Sequence, residues 1–245
     1  MRSLHPTITQ TVPRPGVTRR YEPIVTSELI TQLRHRGWRV RAITVAAPRK
    51  ADPGFAQHRV SFRHDRGYLL SGGVEPELLV LNSHDGATRA RAMMGLWRED
   101  SATTRIVGAP EFYAETRHST AAAETLAHAA AQLGDKFHAV EEVIDAWKGR
   151  TLTAAEQVEF ARLAGQLRYG DGWTYEPAVL LAARRPTDVG ATLWAVTARL
   201  QENLVLGGFQ GRALSGQQVT ALPLTGIERD ANFNVDLWKL AGEML

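Results

Sequence analysis

Apolar and polar positions alternate with a period of two through the first half of the chain and recur at steps of three and four through the second. The stretch "WRVRAITVA" at residues 38–46 places Trp38, Val40, Ala42 and Thr44 on one face of a strand and Arg39, Arg41, Ile43 and Val45 on the other. "QHRVSFRH" sets Val60 and Phe62 against Arg59, Ser61 and Arg63, and "PELLVLN" and "TRARAMMGLW" follow, with Arg89 and Arg91 sharing a face. Ahead of these, "TSELITQLRHRG" carries Leu29, Ile30 and Leu33 at helical spacing, with Thr26 or Ser27 as cap and Gly37 as stop. Residues 26–98 therefore read as a short helix followed by a mostly antiparallel meander of about four strands.

From Thr120 the period changes. Leu126, Ala130, Leu133, Phe137, Val140, Ile144 and Trp147 form the stripe of one long amphipathic helix with Gly134 as its kink point. Thr153 and Glu156 supply a capping box for a helix running to about Arg168, which "YGDGW" ends. Pro177 opens another helix, expected to reach Arg185, and a further one is expected from Val189 to Leu206, stopped by Gly207-Gly208. "GGFQGRALSGQQ" reads as a flexible loop, and Asn234 as the cap of the last helix. Gln201, Glu202 and Asn203 are three adjacent polar groups that an amphipathic face does not need, and they are expected to anchor the loop that follows. The expected fold is α+β: an N-terminal antiparallel meander with a short preceding helix, and a helical C-terminal half packed on it. Residues 1–20, with Pro6, Pro13, Pro15 and a basic Arg19-Arg20, read as a flexible arm that could touch a polyanion or nothing. Residues 21–118 read as a β-rich part and 119–245 as a helical part of one continuous domain.

Charge sharpens this division. Residues 1–118 hold 18 Lys+Arg against 11 Asp+Glu, and residues 119–245 hold 11 against 15, so the first half is the one suited to a polyanion. Only Lys50, Lys136, Lys148 and Lys239 are lysines; the other basic residues are arginines, whose planar fork suits phosphate. With no cysteine in the chain, thiolate metal sites and a cysteine nucleophile are excluded, and no cofactor is expected. No apolar run is long enough to cross a bilayer, and the start lacks the apolar core of a secretory signal, so no membrane partner and a cytoplasmic location are expected.

Two kinds of chemistry compete for "LVLNSHDGATRARA", residues 79–92. Asp85-Gly86 between two strand-like runs is a hairpin signal, because glycine accepts positive φ and Asp hydrogen-bonds turn amides. Asn82 and His84 are then free either to hold that corner or to touch a ligand. A metal-dependent reading uses His58, His64, His84 and Asp85, which lack any tight ligand spacing. The arginine-bearing strand faces are the better candidates: Arg39, Arg41, Arg59, Arg63, Arg89 and Arg91, with Arg98, Asn82 and His84 beside them, and Arg34 and Arg36 on the helix. Brought to one face they would neutralise phosphates, as single-strand binding requires. Walker, GxGxxG and GxSxG motifs are missing from the sequence.

The segments "VLNSHDG", "GLWR", Arg117-His118, "LAARRPTD", Leu193-Trp194, "QEN", "GG" and the closing "N…LW" occur in an order that resembles the phage/plasmid-like proteins of domain of unknown function 932. The resemblance runs from about Tyr21 to the C-terminus and implies a mobile-element context without naming an activity. Where that family continues Trp-Arg with a cysteine and an Asn-Gly, this chain has Glu99-Asp100-Ser101, and Ala198 stands where the family has an asparagine. Both departures favour binding over catalysis. The helix, basic meander and long helix are also similar in order to the core of single-strand annealing proteins of the recombination-mediator type, which form rings. The leading expectation is therefore a non-catalytic protein that binds or anneals single-stranded DNA as a homo-oligomer. The alternatives are a host-defence inhibitor, such as an antirestriction protein, acting by protein binding, and a metal-dependent nuclease.

Overall fold

The structure is a computed structural model that describes residues 5–47, 52–101 and 103–245. Along the chain run α1 (Pro6–Thr9), α2 (Thr26–Arg34), β1 (Trp38–Val45), β2 (His58–His64), β3 (Glu75–Asn82), β4 (Ala90–Trp97), β5 (Arg105–Ile106), β6 (Tyr113–Thr116), α3 (Ala122–Gly134) and α4 (Phe137–Gly149). They are followed by α5 (Ala154–Tyr169), β7 (Trp173–Thr174), α6 (Pro177–Leu181), α7 (Leu193–Leu206), β8 (Gln210–Ala213), β9 (Gln218–Thr220) and α8 (Ile227–Glu243). The fold is α+β, an N-terminal antiparallel sheet followed by a mainly helical half. Two compact units divide the chain: one reaches to Arg98 and takes in Pro110–His138, the other holds Glu99–Ala109 and Ala139–Leu245.

In the first unit β1 to β4 pair consecutively and antiparallel, and β6 adds to β4. The alternation expected for β2 holds, but β1 departs from it. Val40 pairs with Phe62 and Ala42 with Ser61, so Arg41 is the extra residue of a bulge and the strand changes face there. Ile43 and Val45 thereby join Trp38 and Val40 on the apolar face, and Ala42 and Thr44 move to the arginine face. The physical reason is burial: a regular strand would turn Ile43 and Val45 away from the core.

Helices α2 and α3 cover the apolar face, burying Leu29, Ile30 and Leu33 from one and Leu126, Ala130 and Leu133 from the other over Val60, Phe62, Leu78 and Met94. The single long helix expected from Thr120 is two, separated at Asp135-Lys136. Gly134 is the last residue of the first, and a Cβ there would stand 3.1 Å from the Trp38 indole, which Phe137 meets edge-on from the other side of the break. Residues 1–4 of the expected arm lie outside the described residues. The rest of it is anchored: Thr7 and Ile8 are fully buried, and Thr7 Oγ1 donates to the Ala56 carbonyl at 2.8 Å.

The second unit is built around α7, whose residues from Leu193 to Asn203 are all buried. Trp147 packs on Trp238 and Trp194 with ring centres 4.4 and 6.5 Å away. The capping box of α5 is formed as the sequence predicts, Thr153 N–H donating to Glu156 Oε2 at 2.7 Å and Glu156 N–H to Thr153 Oγ1 at 3.3 Å. The glycine-rich segment expected as a loop is instead a β8–β9 hairpin paired to β7. Helix α8 begins at Ile227, so Asn234 lies inside it rather than capping it. Helix α6 stops at Leu181, short of the expected Arg185, and α7 starts at Leu193. Among the described residues no helix is long and apolar enough to cross a membrane.

Candidate nucleic-acid interface

Strand register decides which arginines meet. Arg39 pairs with Arg63 and Arg63 with Glu77; Thr44 pairs with Arg59, Arg59 with Leu81, Leu81 with Arg91, and Arg91 with Glu115. Arg39, Arg59, Arg63 and Arg91 therefore share the face opposite to α2 and α3. Arg41 from the bulge and Arg89 just before β4 reach carboxylates of the same face. The helix arginines Arg34 and Arg36 stand on the covered side and do not join them.

Five of these guanidiniums, those of Arg39, Arg41, Arg63, Arg89 and Arg91, are tied to acids. Arg41 holds Glu77 through both of its oxygens, its Nη2 at 3.1 Å from Oε2, and Arg63 stands 3.2 Å from Glu75 and 3.9 Å from Glu77. Glu77 is fully buried, so these contacts compensate a carboxylate that burial alone would not tolerate. Arg39 bonds Asp65, and Arg89 and Arg91 converge on Glu115, with Arg91 at 3.0 Å. Tyr113 also donates to Glu115 at 2.5 Å. Burial of Glu115 raises its pKa, but the bonds from Tyr113 and the two arginines outweigh that and hold it below the usual range.

Trp97 carries Arg63 at 3.6 Å and Arg41 at 5.1 Å from its ring centre, so the indole positions guanidiniums rather than waiting for a base. Between the two arginine groups Ser61, Leu79, Leu81 and Met93 are buried. One accessible part is a cleft of about 540 Å³ at one end, which Arg39, Arg41, Arg63, Asp65, Tyr68 and Glu75 line. Arg39 is its most open member, with 79% of its side chain exposed. Arg98 lies half-buried just past the end of β4.

The Asn-Ser-His-Asp-Gly segment is the β3–β4 hairpin connection. Asp85 Oδ1 accepts from Ser83 Oγ at 2.7 Å and from the amides of Ala87 and Thr88 at 2.9 and 3.3 Å, and Gly86 has φ +77°. Asn82 and His84 face away from the arginines and are fully buried. His118 Nε2 donates to Asn82 Oδ1 at 2.9 Å, and Asn82 Nδ2 donates to Thr26 Oγ1 at 2.9 Å. Thr26 Oγ1 then donates to His58 Nε2 at 2.7 Å, and His58 Nδ1 lies 3.1 Å from the Ala56 carbonyl, which can only accept. Thr26, expected as a helix cap, is thus spent on this chain. His84 Nε2 meets the Thr7 carbonyl at 3.0 Å and fixes the N-terminal segment.

Every bond in that network suits neutral histidines. Burial pushes His58 and His118 down to about 4 and also lowers His84. The four residues considered for a metal do not converge: His58 and His84 stack at 5.8 Å, Asp85 faces the turn amides, and His64 meets Trp38 at the far end of β2. Among the described residues no group of three His, Asp or Glu is placed to hold an ion.

In the second unit "LAARR" and "QEN" are one construction. Asn203 Nδ2 donates to the Leu180 and Ala182 carbonyls at 2.9 and 2.8 Å, its Oδ1 accepts from Arg184 Nε at 2.6 Å, and buried Glu202 holds Arg185. Arg184 also bonds the Gly207 carbonyl at 2.6 Å, so the asparagine ties the preceding segment as well as the loop that follows. Gln201 joins Thr103 at 2.8 Å and Asn234 at 3.1 Å.

Residues 16–221 match the family described as a domain of unknown function, DUF932. The chain belongs to that family. Among its relatives, the UPF0380 protein YafZ of Escherichia coli (strain K12) is 30% identical over 232 residues, covering 92% of this chain and 83% of the relative. The UPF0380 protein YfjQ of the same strain is 29% identical over the same length and shares. No solved structure matches the chain. Two segments that carry the likeness to DUF932, the hairpin turn and Arg117-His118, meet at the buried histidines. Arg20 and Arg117 are exposed beside that turn; the sequence placed Arg20 in the supposed arm and Arg117 among the segments of the family resemblance, and no local pattern joins the two.

Proposed function

We propose that this chain is a non-catalytic nucleic-acid-binding protein that takes the backbone of a single strand along the arginine-bearing side of its sheet. The observation that carries this reading is the register: arginines from β1, β2 and β4 share one face, and Arg39, Arg41 and Arg63 open into one cleft. Arginine forks hold phosphate oxygens without reading sequence, so the expected binding is general rather than site-specific. The carboxylates on the same face set the side chains in place, and a phosphate must displace or share them, which predicts moderate affinity with steep salt dependence. Annealing of single strands during recombination, by a homo-oligomer that lengthens the basic surface, is the activity this proposal favours.

Fluorescence anisotropy with a labelled single-stranded oligonucleotide tests it. Binding at low salt that weakens linearly in log salt, by about 0.7 per phosphate contact, is expected. Undetectable binding at low salt, with recovery of a host protein as partner, would instead favour the inhibitor reading.

A further inference from the structure

A second cleft of about 480 Å³ lies at the other end of the sheet, formed by residues 18–21, the turn at 86–89 and residues 117–119. We infer that it is a binding site for a phosphate monoester. Arg20, Arg89 and Arg117 line it, and no carboxylate is among its lining residues. Arg89 is engaged by Glu115, but the exposed guanidiniums of Arg20 and Arg117 make no hydrogen bond or ion pair with a described residue. The nearby acid, Asp85, is turned into the hairpin, where one oxygen takes three hydrogen bonds. Two unspent cations therefore face the same space with no anion between them, which matches the double charge of a phosphate monoester.

The remaining walls are rigid and uncharged. Tyr21 stacks on His118 with ring centres 4.6 Å apart, its hydroxyl donates to the Ser83 carbonyl at 3.0 Å, and His118 is held by Asn82. Thr18, Thr88 and Ser119 add hydroxyl donors around the mouth. The volume admits a phosphate with an attached sugar. The segment carrying Arg20 is fixed at both sides, by Arg14 N–H to the His84 carbonyl at 3.0 Å and by Thr120 Oγ1 to Glu22 at 2.9 Å, so the cation is presented rather than tethered loosely.

This inference shares Arg89 with the proposed strand-binding face but stands on Arg20 and Arg117, and its deciding test uses mononucleotide rather than a strand. Calorimetric titration of the full chain with adenosine 5′-monophosphate, adenosine and inorganic phosphate is compared with titration of R20Q/R117Q and R20K/R117K. The nucleotide is expected to bind and adenosine not to, inorganic phosphate to compete, and the glutamine variant to lose about tenfold in affinity while the lysine variant keeps part of it. Both residues are exposed, and an unchanged circular dichroism spectrum shows the fold intact.

Equal binding of nucleotide and nucleoside, no binding of either, or unchanged affinity in R20Q/R117Q overturns the inference. A 5′-phosphorylated oligonucleotide that binds more tightly than its 5′-hydroxyl counterpart, with the difference lost in R20Q/R117Q, identifies a strand end as the source of the phosphate. Mononucleotide binding without that difference identifies a free small ligand. Either result supports the site, including in a protein that binds no single strand.

Discussion

Three buried histidines carry a consequence that single residues make testable. His58, His84 and His118 ionise less readily in the folded chain than in the unfolded one, so the unfolded state binds more protons below pH ~6.5. Their contribution to stability is present above the unfolded value and is lost as pH falls toward about 4, where His58 and His118 titrate in the fold. The urea midpoint is therefore expected to fall between pH 7 and pH 5. H118Q, which keeps a donor for Asn82, should flatten that dependence, and a wild-type midpoint that does not move would contradict it. Gly86 is a second such position. Its φ is +77°, and a Cβ there would lie 2.3 Å from Val17 Cγ1. Gly86→Ala is expected to destabilise by roughly 1–3 kcal/mol in urea unfolding, through strain and crowding together.

At the scale of elements, α7 is where polar residues organise packing. Asn203 satisfies the Leu180 and Ala182 carbonyls, which would otherwise be left without those partners as the chain leaves α6, and it also accepts from Arg184. Asn203→Ala should cost about 2 kcal/mol, read as a lower urea midpoint, because the lost bonds leave polar groups unpaired rather than replaced. The β1 bulge shows the same logic in a strand. The pattern Trp38, Val40, then Ile43, Val45 already contains an odd step, which a strict alternation misreads and a bulge explains. The capping box of α5 was legible for the opposite reason: its partners are three residues apart and need no tertiary contact.

At the scale of the molecule, the change in charge near residue 118 does not mark where the units divide. Helix α3 packs on β4 and β6, in the same unit as the sheet. A fragment of residues 21–118 lacks that cover over Leu78 and Met94 and is expected to show no cooperative thermal transition, whereas the full chain is expected to unfold cooperatively. The basic first half also predicts how binding responds to charge. Arg39→Gln, at an exposed position with a surface ion pair to Asp65, should leave the unfolding free energy unchanged within about 1 kcal/mol. It should weaken single-strand binding about equally across sequences and lower the salt slope by about 0.7. Loss of affinity for one sequence only would argue against backbone contact.

By itself the sequence determined the α+β class, the antiparallel order of the first four strands, the hairpin at Asp85-Gly86 and the family, because these follow from local period, turn chemistry and an ordered set of short motifs. Tertiary structure alone decided the partners of the polar side chains. Asn82 and His84 looked free to touch a ligand and Thr26 looked like a cap, yet Asn82 and Thr26 bond each other and His84 bonds the Thr7 carbonyl, since buried polar groups take the partners that the fold brings within reach. Arg20 and Arg117 looked unconnected and line one cleft. Their separation of nearly one hundred residues is closed by the hairpin and the anchored N-terminal segment, and no local pattern encodes that distance.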